Sequence, residues 1–226
     1  MSIAENIKLI QSNLPETVHL VAVSKTKPAE FLMEAYQTGQ RAFGENKVQE
    51  MLWKYEALPK DIEWHFIGHM QTNKVKYIVP FVHLIHGVDS FKLLKTINSE
   101  AKKIDRNIPC LLQFHIAEEE TKFGLSLHEA EEILNSEEFK ALENVTISGV
   151  MGMATYTDNE TQIRKEFAYL KACFGKLKQG YFAGKPEFKE ISMGMSGDYW
   201  IAVEQGSTMV RIGSTIFGER NYSTQL

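Results

Sequence analysis

The chain has 226 residues, 43% of them hydrophobic and 24% charged, which excludes a disordered or fibrous chain and allows a large core. Its net charge is −4, with Lys and Arg spread along the sequence, so no basic stripe marks a nucleic-acid partner. Two distant cysteines, Cys110 and Cys173, exclude a disulfide framework, and no Cys/His spacing of the metal-binding kind occurs, so no metal is expected.

No stretch approaches the ~18 apolar residues of a membrane helix. The first 14 residues mix charged and apolar types, unlike a signal peptide. A soluble, cytoplasmic protein is the expectation, with neither membrane nor nucleic acid as partner. An opening helix is predicted over residues 3–10. Strands are predicted at 20–24, 41–44, 64–68, 84–88, 110–116, 146–151, 188–193 and 209–212. Between the first two, Pro28 suits the first turn of a helix through Tyr36, with Gly39 beyond its end. Ser90 is placed to cap a helix carrying Leu94, Ile97, Ala101 and Ile104 on one face. Ser126 and Glu129 form a capping box ahead of Ala130, Ile133 and Leu134. Ile163, Phe167, Leu170, Phe174 and Leu177 recur at helical steps.

The strands are apolar on both faces, as parallel strands covered by helices are. Strand–helix alternation calls for right-handed βαβ units, and eight of them close a barrel. The expected fold is α/β: a single (β/α)8 TIM barrel with an extra N-terminal helix, one domain over residues 1–226. An open doubly wound sheet is the competing architecture.

In such a barrel the site lies at the carboxyl ends of the strands. Lys25 ends the first strand on the face of Val21 and Val23. A lysine pointing into an apolar mouth loses water, which favours the neutral amine needed for imine formation. Lys27 is the rival, placed in the turn before Pro28. The last two strand ends offer Gly194-Met195-Ser196-Gly197-Asp198 and Gly213-Ser214-Thr215, small residues and hydroxyls of the kind that hold phosphate. Arg211, inside an apolar strand, needs either a ligand anion or heteroatom, or a buried acidic partner. Asn46 can contact a ligand or cap the next helix. His65 can stack on a ligand or sit satisfied in the core. Gln71, Asn73 and Lys74 are expected to open a helix, Met151 and Met153 to belong to the core, and Glu118-Glu119-Glu120 to form a solvated loop.

These motifs coincide with a known family. Val21-Ala22-Val23-Ser24-Lys25-Thr26-Lys27-Pro28, Phe43-Gly44-Glu45-Asn46 with Val48-Gln49-Glu50, and Trp64-His65-Phe66-Ile67-Gly68 with Gln71 and Asn73-Lys74 carry the first half of the likeness. Ser192-Met193-Gly194-Met195-Ser196 and the long run from Gly206 to Gly218 carry the second. The chain resembles the pyridoxal 5′-phosphate (PLP) homeostasis proteins of the YggS/PROSC type, which share the barrel of alanine racemase. That resemblance implies PLP as cofactor, held as a Schiff base on Lys25. It implies Ser196, Gly213 and Ser214 around the phosphate, Arg211 beside the pyridine nitrogen, and Asn46 near the ring's phenolic oxygen. Gly197 departs from the Asp or Ala often found in relatives. His69 stands where relatives carry proline or histidine, and no function is attached to it.

The resemblance implies a carrier rather than an enzyme, with no catalytic residues assigned. Racemisation needs acid–base groups on both faces of the substrate carbon. In the racemases the second base is a tyrosine from a separate domain, and only residues 219–226 follow Gly218. Tyr156 and Tyr199 are the tyrosines left as substitutes. The expected function is to bind, buffer and deliver PLP for vitamin B6 homeostasis, as a monomer, with apo PLP-dependent enzymes as recipients. The alternatives are a fold-type III amino-acid racemase or lyase, and a PLP-free barrel aldolase or isomerase.

Overall fold

The computed structural model describes residues 2–119 and 123–219. Eight strands follow one another around a closed, parallel barrel: β1 (His19–Val23), β2 (Ala42–Glu45), β3 (Glu63–Phe66), β4 (Val82–Val88), β5 (Ile108–Gln113), β6 (Val145–Met151), β7 (Glu190–Ser192) and β8 (Met209–Ile212). β8 pairs with β1 in parallel through His19–Met209 to Ala22–Ile212. That pairing confirms the (β/α)8 expectation and excludes the open sheet.

The helices are α1 (Ile3–Asn13), α2 (Ala29–Gln37), α3 (Val48–Ala57), α4 (Val75–Ile78), α5 (Phe91–Lys102), α6 (Leu127–Asn135), α7 (Glu137–Lys140), α8 (Glu160–Gly180), α9 (Tyr199–Glu204) and α10 (Ser214–Phe217). A 3-10 turn, Thr72–Lys74, leads into α4, so Gln71, Asn73 and Lys74 do open a helix. Predicted caps are present. The Ser90 hydroxyl accepts from the Leu93 amide, and Ser126 with Glu129 completes a capping box; such caps are worth about 1 kcal/mol each. Pro28, expected in the first turn of α2, stands one position earlier at its N-cap, with no side-chain capping bond. Ile104 leaves the α5 face, because the helix stops at Lys102 and the chain turns through Asp105 at φ 53°. α1 buries Ile3, Ile7 and Ile10, and the Asn6 side-chain Nδ2 donates to the Ile216 carbonyl of α10 at 3.0 Å, tying the extra helix to the last one.

The core has two layers. Between strands and helices lie Phe43, Trp64, Phe66, Ile85, Leu112, Val150, Phe167 and their neighbours. Full burial of such side chains stabilises by about 1.5–3 kcal/mol each. Inside the barrel the apolar set shrinks to Val21, Leu84, Leu111, Met151 and Met209. The rest of the lumen is polar: His65, His86, Gln113, Ser192 and Arg211 are all buried. Among the described residues no helix is long and apolar enough to cross a membrane.

Candidate functional site

β1 sends Val21 into the lumen and Val23 to a cavity of about 940 Å³ over the carboxyl ends of the strands. Lys25 keeps the same side but lies in the turn after the strand. The turn is built tightly. The Ser24 amide extends the ladder to the Gly44 carbonyl at 3.1 Å, the Lys27 amide closes onto the Ser24 carbonyl at 3.0 Å, and Thr26 takes φ 65°.

A buried ionic cluster holds this turn from behind. Lys54 of α3 is 0% exposed; its ammonium donates to the Ser24 carbonyl at 2.8 Å, to Glu45 Oε1 at 2.7 Å and to Glu50 Oε1 at 2.8 Å. The Ser24 hydroxyl also donates to Glu45 Oε1, at 2.6 Å, and the Thr26 amide donates to Glu50 Oε1 at 2.5 Å. Burial pushes the Glu45 carboxyl up to about 7, with Lys54 pulling it back and the Glu50 charge pushing it further. Nothing in the sequence marks Lys54: a lysine in an amphipathic stretch reads as a surface residue.

Lys27 has other work. Its ammonium donates to the carbonyls of Phe217, Gly218 and Glu219 at 3.0, 2.9 and 2.8 Å, clamping the end of α10.

Lys25, Asn46, Ser196, Arg211, Gly213 and Ser214 all line the one cavity. Asn46 is not the helix cap, since Lys47 precedes α3 in that role, and its Oδ1 is buried with no hydrogen-bond partner among the described residues. Gly68 permits this placement: a Cβ there would lie 2.5 Å from the Asn46 carbonyl oxygen and 2.8 Å from its Cα. Two loops meet opposite. The Gly213 amide donates to the Ser196 hydroxyl at 3.2 Å, and the Met195 amide to the Asp198 carboxylate at 2.5 Å. Gly213 precedes the short α10, whose first amides have no carbonyl behind them within the helix. A Cβ on Gly197 would meet nothing within 4 Å, so the glycine there answers to no packing demand.

Arg211 is 4% exposed and points into the lumen. Of the two partners weighed for it, ligand or buried acid, the hydrogen bonds go to neither: Nη1 donates to the Ser192 hydroxyl at 2.6 Å and Nη2 to the Gly152 carbonyl at 3.0 Å. Desolvation lowers its pKa to about 10, with the Asp198 charge opposing, so it stays cationic near neutrality. From Ser192 a chain of contacts runs down the lumen. The Ser192 Oγ lies 2.9 Å from His86 Nδ1, and His86 Nε2 lies 2.9 Å from His65 Nδ1. Burial keeps both imidazoles neutral, lowering His65 to about 3 and His86 well below its usual value.

Several expectations need correction. His65 does not reach the ligand cavity; it faces the opposite end of the barrel. Met151 is core, and Met153 packs against the inner core cluster while also lining the cavity. Tyr156 lines the cavity while 95% exposed, and Tyr199 packs against the outer core. Of the acidic run, Glu120 lies outside the described residues. Glu119 is more than solvated, because its carboxylate accepts from the Tyr156 amide at 2.8 Å. Residues missed from sequence include Gln113, Thr155 and Phe123. Thr155 is fixed by the buried Glu166, which accepts from its amide at 2.6 Å and its hydroxyl at 2.7 Å.

Comparison with known proteins agrees with this geometry. Residues 1–221 match the alanine racemase N-terminal domain. A pyridoxal phosphate homeostasis protein of Vibrio alginolyticus is 41% identical over 98% of this chain and 99% of its own length. The Homo sapiens protein of that name is 41% identical over 90% of this chain and 77% of its own. The structure of PipY from Synechococcus elongatus with PLP bound superposes with a TM-score of 0.87 at 34% identity, over 96% of this chain and all of that one. Alanine racemase of Clostridium difficile shares the fold alone, at 15% identity and a TM-score of 0.80 over 60% of its length. The chain therefore belongs to the alanine racemase N-terminal domain family and, within it, to the pyridoxal phosphate homeostasis proteins.

Proposed function

We propose that this chain, a single barrel domain, binds PLP covalently through Lys25 and carries it, rather than turning over amino acids. The observation that carries this reading is the convergence of Lys25, two phosphate-type loops and a buried arginine in one cavity. The residues fit the cofactor. Asn46 Oδ1 is a buried polar atom of the kind a ligand group satisfies, and Gly197 leaves its side of the loop unobstructed.

When bound, PLP supplies an aldehyde that a neutral amine captures reversibly. Lys25 provides the amine, and the Ser24–Glu45–Lys54 cluster fixes the turn that presents it. Ser196, Gly213 and Ser214 hold the phosphate with hydroxyls and backbone amides. Arg211 would present its cation to the pyridine nitrogen and disfavour its protonation, which would make the ring a poorer electron sink. Asn46 orients the ring through its amide. Among the described residues the tyrosine at the cavity is Tyr156, at the exposed rim, a poor position for a second acid–base group. The protein would act as a cytoplasmic monomer that buffers PLP and delivers it to apo PLP-dependent enzymes, with no role for nucleic acid or membrane.

The test is the visible absorbance of the purified protein, with borohydride trapping and mass mapping of the modified lysine. Lys25→Ala should abolish the absorbance and leave the fold intact. Lys27→Ala should keep it. Persistence of the band in Lys25→Ala refutes the lysine assignment, and Lys25-dependent turnover of any amino acid in a broad panel refutes the carrier reading.

A further inference from the structure

We propose that Glu63, His65 and His83 form a binding site for one divalent transition-metal ion of the zinc class at the amino-terminal mouth of the barrel, opposite the PLP cavity. The three offer ligand atoms within 4.8 Å of one another. They line a separate cavity of about 590 Å³ whose inner wall includes Val21 and Met209.

The site is built by the sheet. Glu63 and His65 are two residues apart on β3 and so share its inward face. By strict alternation His83 would point outward between Val82 and Leu84. The register prevents this: Trp64 pairs with Val82 and His65 with Leu84, so β4 spends one extra residue, His83, where β3 spends none. Such a bulge re-aims a side chain, and here the His83 ring comes to 5.3 Å from that of His65.

The second observation is the state of His65. It is 3% exposed, and its Nε2 is buried with no hydrogen-bond partner among the described residues. An unsatisfied buried ring nitrogen is costly. Its other nitrogen, Nδ1, is held by His86 at 2.9 Å, which fixes the ring's orientation as an outer-shell partner does. Two imidazoles and a carboxylate, with a fourth position open to water, match a zinc-type donor set. Glu63 and His83 are exposed, so side-chain rotations suffice to close the triad around an ion. The cavity's lysine and arginine have acidic partners of their own: Arg41 pairs with Asp61 at 2.9 Å, and Lys189 lies 3.8 Å from Glu190 on the same wall. Ligation through Nε2 makes His65 Nδ1–H the donor to His86, so His86 Nδ1–H donates to Ser192, the hydroxyl that also receives Arg211.

The experiment is calorimetric titration of the full chain, tag-free and stripped of metal, with Zn2+, followed by Co2+ absorption spectroscopy. One equivalent should bind at ~10 μM or tighter and raise Tm by mass action. His83→Ala and Glu63→Gln, both exposed and expected to fold, should each weaken binding at least about ten-fold, while Lys25→Ala leaves it unchanged. Absence of one-equivalent binding overturns the proposal. So does binding that survives both His83→Ala and Glu63→Gln, or that is lost with Lys25→Ala.

Discussion

The two mouths of this barrel are made of different material. The carboxyl-end mouth presents loop residues: a lysine in a turn, backbone amides, hydroxyls and glycines. The amino-end mouth presents side chains of the strands themselves, Glu63, His65 and His83. Loop groups do not hold position alone, so the upper mouth is backed by a second layer of buried polar residues, Lys54, Glu45 and Glu166. Strand groups inherit their position from the sheet: Gln40 and Glu190 are buried at the lower mouth, but among the described residues the side-chain hydrogen bond that holds its triad is the contact of His65 with His86. The difference teaches that changes out of sight should damage the upper mouth, while the lower one should tolerate substitution of its visible residues.

The largest expected break in that contrast is Lys54→Met. It removes the partner of a fully buried Glu45 carboxylate, which should cost about 3–5 kcal/mol in urea unfolding at alkaline pH. It also strips the donor from the Ser24 carbonyl and so loosens the turn that carries Lys25. His83→Ala, measured without metal, should stay within about 0.5 kcal/mol of wild type. Comparable losses from the two variants would erase the distinction between the mouths. Next comes Gly68→Ala, where the new Cβ meets backbone atoms of Asn46 that cannot swing aside. A cost of about 1–3 kcal/mol and weaker PLP uptake are expected, seen by chemical denaturation and by absorbance titration. Gly197→Ala, with open space at its Cβ, should change neither.

The sequence discloses the upper mouth better than the lower one, for physical reasons. Alternation and helix caps give eight strands in order, and knowing where barrel sites lie directs attention to Lys25, Asn46, Ser196, Arg211, Gly213 and Ser214. Strand ends are misjudged by a residue or more, because mouth residues such as Ser24 and Ile67 continue the ladder by one hydrogen bond and then bend away. α3 goes unrecognised as a buried support because its key member, Lys54, is a charged residue whose partners lie 4, 9 and 30 positions away. The placement of His65, read as either ligand contact or core, is left open for a similar reason. Its neighbours come from β4, through a register shift that leaves no local trace in the chain. Long-range ion pairs and bulges are properties of pairing, and one strand's sequence does not contain its partner.

The smallest effect expected is a pH dependence of stability, and it separates the cluster from its surroundings. The folded Glu45 carboxyl has a pKa of about 7, above the ~4.3 of an unfolded glutamate. Between those values the folded state holds the proton and the unfolded state does not, so stability is greatest below the lower value and declines as pH rises through the upper one. Melting at pH 5.5 and at pH 8.5 should differ by about 3–6 °C, the alkaline sample melting first. Glu45→Gln removes the titration, keeps an acceptor for Lys54 and Ser24, and should flatten that slope. The fall with pH is opposite in sign to what an exposed salt-bridged carboxylate would give, since its pKa would be depressed and its contribution would be lost on acidification instead. A slope that survives in Glu45→Gln would place the titration on another group, and a wild-type Tm that rises across this interval would mean that Lys54 stabilises the carboxylate more than burial opposes it. The turn beneath Lys25 would then rest on a permanent ion pair rather than on a carboxyl that takes up a proton below about pH 7.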